Sequence, residues 1–296
     1  MSTECCLILH RKSANELAVK EAVRYVRGQG IDLRVRIPWN KKDKRRVVRE
    51  ALDAGSTRLI AGGGDGTINA VVNALVGKGR KPPRATMGIL PLGTANDFAH
   101  GLGLPVDDLG QCLEIACRRP ARQIDVGRAN KKCFINVASG GFGAEITATT
   151  SVKAKKALGG GAYTLRGLIK AFNLKPYEGR LLIPGEEPVE GAMLVMTVGN
   201  SNLAGGGFDV APDASLDDGL LDVAAVTYHP QDSELKTLAK ELKAPTSPDN
   251  EILYYRQLSE FTIEADVPIH FNLDGEPLLR RRYAFSVLPR HLGVVF

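Results

Sequence analysis

Two strand-to-helix junctions constrain this chain more than any other feature. The apolar run Leu59-Ile60-Ala61 leads into Gly62-Gly63-Gly64-Asp65-Gly66-Thr67. Met87-Gly88-Ile89-Leu90 leads into Pro91-Leu92-Gly93-Thr94-Ala95-Asn96-Asp97-Phe98-Ala99. Each reads as a strand that ends in a tight turn and opens a helix. Glycines let the backbone approach a ligand closely, and free N–H groups at a helix start point at anions. Asp65 reads as an exposed turn carboxylate that can hold Mg2+ or orient a nucleophile.

The same alternation runs through the first 125 residues. Ala14, Leu17, Ala18, Ala22, Tyr25 and Val26 repeat at helical spacing, with Gly28 and Gly30 placed to end the helix. Residues 31–37 read as a strand, and Val47, Val48, Ala51 and Leu52 as a helical stripe that ends near Gly55. A helix is expected over 68–76 and a strand over 86–90. This rhythm predicts a parallel sheet with helices on both faces. Ligands of such sheets sit at the carboxyl ends of the strands, where both glycine turns fall.

Beyond Asp125 strand-like runs dominate, over 133–138, 180–183, 192–198, 220–227, 261–265 and 269–273. Turn signals at Gly185-Glu186, Asp218-Gly219 and Asp274-Gly275 separate them. The expected division is an α/β nucleotide-binding domain over 1–125 and a β-rich, sandwich-like domain over 126–287. Residues 288–296 are expected to return to the first domain. One helix is expected over 231–242, followed by a loop over 245–250.

Composition narrows the function classes. Apolar residues make up 44% of the 296 and charged residues 24%, as in soluble globular proteins. No apolar stretch approaches bilayer-spanning length, and Cys5-Cys6-Leu7-Ile8-Leu9 reads as a first strand rather than a signal peptide. Five scattered cysteines without metal spacing point to a reducing cytoplasm. The net charge of +6 suits phosphate-bearing ligands or an anionic membrane surface and is too mild to imply nucleic acid. No feature specifies an oligomeric state.

The first turn is not a Walker A loop, because no Gly-Lys-Ser/Thr follows, and it is not the Rossmann Gly-x-Gly-x-x-Gly. Taken with the second turn it resembles the diacylglycerol kinase catalytic superfamily, closest to the bacterial YegS-type lipid kinases. The resemblance extends to Ile135-Asn136, Gly140-Gly141-Phe142-Gly143, Ala204-Gly205-Gly206-Gly207, Asp217-Asp218-Gly219-Leu220-Leu221 and Asn272-Leu273-Asp274-Gly275-Glu276-Pro277-Leu278. NAD kinases and phosphofructokinases share the first motif. The second motif and the Asp-Gly-Glu-Pro are more specific.

The resemblance implies transfer of the ATP γ-phosphoryl group to a lipid hydroxyl, diacylglycerol- or phosphatidylglycerol-like, in a cleft between two domains. It implies ATP contacts at Gly63, Gly64, Asp65, Gly66, Thr67, Ile68, Asn69, Ala70 and Thr94, and it matches Glu276 to the proton acceptor. It also implies a structural Mg2+ site, or Ca2+, formed by the Asp218 side chain and the carbonyls of Ser215 and Leu220. Two positions depart from the family. Ala70 stands where a polar residue is common, and Pro38 stands where a Thr before an aromatic often contacts ATP, so only backbone or packing contact is open to Pro38.

Other features have plainer readings. Asp-Gly is a preferred hairpin turn, and Asp213, Asp217, Asp218 and Asp222 can be a solvated acidic turn. Residues 146–177 contain no Asp or Glu, and they interleave Lys153, Lys155, Lys156, Arg166, Lys170 and Lys175 with Leu, Tyr, Ile and Phe. They read either as a solvated basic face or as a flap that docks peripherally on anionic lipid at the inner membrane face. Lys41-Lys42-Asp43-Lys44-Arg45-Arg46 reads as the exposed start of a helix, from which its basic groups could reach ATP phosphates. The alternatives to a lipid kinase are an NAD kinase, which the second motif disfavours, and a nucleotide-responsive lipid-binding protein without turnover.

Overall fold

The computed structural model describes residues 4–77, 81–141, 176–227 and 244–296, with residues 237, 240 and 241. The first layer is a parallel sheet of β1 (Cys5–Leu9), β2 (Leu33–Arg36), β3 (Arg58–Gly63) and β4 (Thr86–Pro91), in the order β2-β1-β3-β4. β1 and β3 are buried along their whole length, as their unbroken apolar runs require in a sheet covered on both faces.

Strand order decides where the helices go. The chain moves outward from β1 to β2 through α1 (Leu17–Gly28), then back across β1 to β3 through α2 (Lys41–Asp53). Right-handed crossovers in opposite directions place these two helices on opposite faces. α3 (Asp65–Val76) continues in the direction of α2 and packs against it. The short α4 (Asp97–Gly101) and then α5 (Leu109–Arg118) follow β4, and α5 packs beside α1. α5 sits so close to β4 that a Cβ on Gly88 would lie 2.7 Å from that of Ala116.

The second layer comprises β5 (Arg122–Ala129), β6 (Lys132–Phe134), β7 (Val137–Gly141), β8 (Tyr177–Leu182), β9 (Val189–Gly199), β10 (Leu203–Ala204), β11 (Phe208–Asp209), β12 (Leu221–Thr227), β13 (Leu253–Leu258), β14 (Glu260–Leu273) and β15 (Glu276–Val294). Its main strands are antiparallel and run β13-β12-β9-β7-β14-β15. β7 and β8 share one lane between β9 and β14. Gly141 pairs with Val195 and Tyr177 with Met193, so β8 resumes along β9 almost where β7 leaves it. One side of these strands converges on Phe134, Phe261, Phe271, Tyr283 and Phe285. Phe261 stacks on Phe285 at 5.0 Å between centroids, and Phe271 meets Tyr283 at 4.5 Å.

β15 ties the layers together. Its first half pairs with β14, and Val294 pairs in parallel with Met87 of β4. Leu292, Val294 and Val295 belong to the core of the first layer.

Several sequence expectations need adjustment. The expected strand over 133–138 is two strands. The N–H groups of Ile135, Asn136 and Val137 turn to the Asp274 carboxylate, which breaks the run. The expected strands over 261–265 and 269–273 are one strand with a register shift, and Pro268, which has no N–H to offer a ladder, sits inside the shift. β13 and α5 were not expected. The helix expected over 231–242 lies almost wholly outside the described residues, as does the basic segment expected over 146–177.

Candidate active site

The direction of the crossovers reverses between β1 and β3, which opens a crevice at the carboxyl ends of these strands. His10 closes the end of β1 and donates its N–H to the Gly62 carbonyl at 2.8 Å. A cavity of about 860 Å3 opens there, lined by His10, Arg11, Lys12, Pro38, Trp39, Lys44, Gly63, Gly64, Asp65, Gly66, Thr67, Gly93, Thr94, Gly275 and Glu276, among others.

The two glycine turns are packed against each other. A Cβ on Gly64 would lie 2.9 Å from Gly93 Cα, and one on Gly93 would lie 2.6 Å from Gly64 Cα. Leu92 donates its N–H to the Gly63 carbonyl at 3.1 Å. Asn96, at φ 52°, closes the second turn on itself. Its Oδ1 accepts from Gly93 N at 2.7 Å, and its Nδ2 donates to the Gly93 carbonyl at 3.1 Å. Thr67 fills the space a side chain on Gly63 would need. Gly63, Gly64 and Gly66 thus bring backbone to the cavity wall at the start of α3 without Cβ atoms of their own in the way.

Three aspartates organise the surroundings. Asp65 is half-buried rather than exposed, because the second turn covers it. It accepts from Phe98 N at 3.4 Å. Burial above all raises its pKa, and the nearby Asp97 carboxylate adds to the rise. Asp97 is buried and accepts from Gly206 N at 3.0 Å and Gly207 N at 2.7 Å. It therefore fastens the second turn to the glycine loop of the other layer. Asp274 is buried and accepts from Asn69 Nδ2 and from the N–H groups of Ile135, Asn136 and Val137, at 2.8–3.1 Å. Burial pushes its pKa up to about 6 against the pull of those donors.

Asp274 and Gly275 have φ of 47° and 91°, the backbone of the hairpin turn that joins β14 to β15. Glu276 follows, half-buried on the cavity wall. The two carboxylates of one short turn therefore have different surroundings. Asp274 is enclosed by donors, and Glu276 borders open space.

Lys44 belongs to the run expected as an exposed helix start whose basic groups could reach ATP phosphates, and it is only 8% exposed. Its Nζ donates to Thr67 Oγ1 at 3.3 Å, in the first turn of α3. No sequence pattern singled it out from its five neighbours in the basic run. A second cavity, of about 530 Å3, shares Lys44 and Glu276 with the first and adds Arg45, Asn69, Ala70, Lys131, Lys132, Leu273 and Leu278.

The expected nucleotide residues are thus distributed. Pro38, Gly63, Gly64, Asp65, Gly66, Thr67 and Thr94 line the larger cavity, and Asn69 and Ala70 line the smaller. The Ile68 side chain points into the first core instead.

Ser215, Asp218 and Leu220 lie on one turn, away from both cavities. Asp218 Oδ1 accepts from Leu220 N at 2.9 Å. Asp125 braces the turn by accepting from Gly219 N and Arg290 N, each at 2.6 Å. Burial raises the Asp125 pKa, and Asp218 and Asp217 raise it further. Among the described residues no three His, Cys, Asp or Glu side chains converge as a metal cluster. A donor set of one carboxylate and two carbonyls does not need such a cluster. Hard oxygen donors amid crowded carboxylates suit a divalent cation that keeps several waters.

Comparison with known proteins agrees with this architecture. Residues 4–129 match the family described as diacylglycerol kinase catalytic domain, and residues 136–296 match the YegS C-terminal NAD kinase beta sandwich-like domain. A protein of Chromohalobacter salexigens described as "Probable lipid kinase YegS-like" is 45% identical over 96% of this chain and 90% of its own length. One of Escherichia coli described as "Probable lipid kinase YegS" is 43% identical over 97% of this chain and 93% of its own length. A crystal structure of a diacylglycerol kinase from Bacillus anthracis has the same fold, with a TM-score of 0.74 and 18% identity over 100% of this chain and 98% of that one.

Proposed function

This chain belongs to the YegS-like family, whose members carry a diacylglycerol kinase catalytic domain, and we propose that it transfers the γ-phosphoryl group of ATP to a lipid hydroxyl. The observation that carries this reading is the meeting of two glycine turns, Lys44 and Glu276 around one cavity at the strand ends.

The roles follow from the chemistry. Phosphoryl transfer depends on positioning and on neutralising charge. The N–H groups of Gly64, Asp65 and Gly66 hold phosphate oxygens, with Lys44 and the Thr67 hydroxyl beside them and Pro38 and Thr94 on the walls. Asp65 would hold a Mg2+ ion here, and such an ion would supply charge neutralisation for the transferred group. Asp65 offers a hard carboxylate oxygen on the cavity wall, with the Asp97 carboxylate nearby, and this fits such an ion. Glu276 takes the proton of the acceptor hydroxyl as its oxygen bonds to the γ-phosphorus and ADP leaves. The acceptor approaches from the smaller cavity, where Asn69 and Ala70 face Glu276. The basic lining there favours a phosphatidylglycerol-like headgroup over a neutral one. Asp218, with the Ser215 and Leu220 carbonyls, holds a structural Mg2+ or Ca2+.

Residues 1–125 with 288–296 form the nucleotide-binding domain in this reading, and 126–287 the lipid-substrate domain. The two separate hydrophobic cores support that division. No helix among the described residues is long and apolar enough to cross a membrane. The enzyme is proposed to be cytoplasmic and to reach the inner membrane face peripherally through the basic segment 146–177.

The test is incubation of the purified protein with γ-labelled ATP, Mg2+ and a total lipid extract. Label is expected in a phospholipid product. Label in NADP when NAD is offered, with none in lipid, would replace this reading with NAD kinase.

A further inference from the structure

Trp39 is the one tryptophan of the chain, and it is 76% exposed. A single exposed apolar residue means little by itself. Its setting makes it informative, since it lines the same cavity as both glycine turns.

Its backbone is fixed from the helix that follows. Asn40 caps α2, its Oδ1 accepting from Asp43 N at 3.1 Å. The Asp43 carboxylate reaches back to accept from Trp39 N at 2.9 Å. The result is a reciprocal cap in which Trp39 stands just before the capping residue. In such caps the residue at that position commonly packs on the fourth residue of the helix. Here the fourth residue is Lys44, and its ammonium group is turned to Thr67. The backbone of Trp39 is therefore fixed, while its indole is largely exposed at the cavity rather than packed on an apolar residue at that helix position.

We infer that Trp39 is the stacking surface for the base of the nucleotide. This inference rests on the reading of the larger cavity as the ATP site. With the phosphates on the α3 N–H groups, the base must lie elsewhere in the same cavity. Most of that lining is charged, polar or glycine, from Arg11, Lys12 and Glu16 to Asn40 and Glu276. Among the described residues only Trp39 and His10 offer an aromatic ring there, and Trp39 offers much the larger face. Stacking accepts any base, because every base has a π-face, and it favours purines by area. Pro38, which cannot donate a hydroxyl, then serves as a rigid hinge that sets the indole at the rim.

The position of Trp39 supplies its own optical probe. Trp39 emission is followed while wild-type protein is titrated with ATP, and separately with inorganic tripolyphosphate. Binding of both ligands to wild type, Trp39→Ala and Trp39→Phe is measured by calorimetry. Saturable quenching by ATP and none by tripolyphosphate is expected. Trp39→Ala should bind ATP between about fivefold and a hundredfold more weakly, Trp39→Phe less so, and tripolyphosphate should bind all three alike. In turnover the loss should appear in KM for ATP rather than in kcat. If wild type binds ATP with unaltered emission and Trp39→Ala binds it as tightly, the inference is overturned while the ATP site stands. If wild type binds no ATP, both readings fail together. If emission shifts with anionic vesicles alone, and Trp39→Ala loses vesicle binding but not ATP binding, the indole belongs to the membrane surface and the inference is overturned.

Discussion

Gly64 and Gly93 stand back to back, each occupying the space that a methyl group on the other would need. The two turns, about thirty residues apart in sequence, are therefore one structure. Neither keeps its shape if the other gains a side chain.

A Gly93→Ala change places its methyl 2.6 Å from Gly64 Cα and 2.7 Å from Asn96 Oδ1. The turns must separate, at a cost of about 1–3 kcal/mol. We expect a lowered Tm and loss of ATP binding in calorimetry. Gly66→Ala meets nothing within 4 Å and should melt like wild type. If both variants bind ATP normally, the turns do not form a common phosphate site.

Asp65→Ala should leave the melting transition close to that of wild type, because the carboxylate takes part in no ion pair among the described residues, its hydrogen bond from Phe98 N is long at 3.4 Å, and burial already disfavours its charge. Phosphoryl transfer should fall to background. A variant with most of its activity intact would remove Asp65 from the metal's surroundings.

The two carboxylates of the β14–β15 turn should separate cleanly on mutation. Glu276→Gln keeps shape and loses the proton acceptor, so turnover should drop by roughly 10²–10⁴-fold with ATP affinity unchanged. Asp274→Asn sets an amide N–H2 against N–H donors, and it should lose roughly 3 kcal/mol of stability. Equilibrium unfolding and steady-state rates on both variants check this. A folding defect in Glu276→Gln, or a stable Asp274→Asn with the larger kinetic loss, would reverse the assignment.

Asp222 carries the pH prediction. It is buried on β12, where the Tyr255 hydroxyl and Gln257 Nε2 bond one oxygen and the other has no partner. Burial pushes its pKa up to about 6, above the unfolded value of about 3.9. Between these values the folded state holds more protons, so stability from this group is full below about pH 4 and declines as pH rises to about 6. Asp222→Asn should abolish that slope. Thermal melts at several pH values should show wild type losing ground to the variant up to about pH 6 and no further. Parallel curves would place the titration elsewhere.

Asp218→Ala tests the structural cation. A cation bound only by the folded protein stabilises it by mass action. A chelator should lower the Tm of wild type and leave that of Asp218→Ala unmoved. An equal response in both would eliminate the site.

What could be read from sequence was local. Leu59-Ile60-Ala61 before three glycines contains its own strand, turn and helix start, and so does the second motif. Lys44 was not separable from its neighbours in the basic run, because helical spacing shows which residues share a face and not what the face meets. α5 announces itself by Asp108, which caps it by accepting from Gln111 N at 2.9 Å, but Gly110 weakens the helical signal. The break at Ile135-Asn136 depends on a carboxylate more than a hundred residues away, which no local pattern contains. The choice of Glu276 over Asp274 as proton acceptor came from the family resemblance, and the burial of Asp274 among donors beside a half-buried Glu276 on the cavity wall is in keeping with it.

The shared lane of β7 and β8 has a practical consequence. Gly141 and Tyr177 pair with residues only two apart on β9, so everything between them is an insertion into what is otherwise one strand. Both ends of the insertion are anchored by the same neighbours, and no other strand has to shift to accept a different length. The sheet therefore offers a ready splice point. A chain cut and rejoined between Gly141 and Tyr177 would keep both flanking pairings on β9 and leave the two glycine turns untouched.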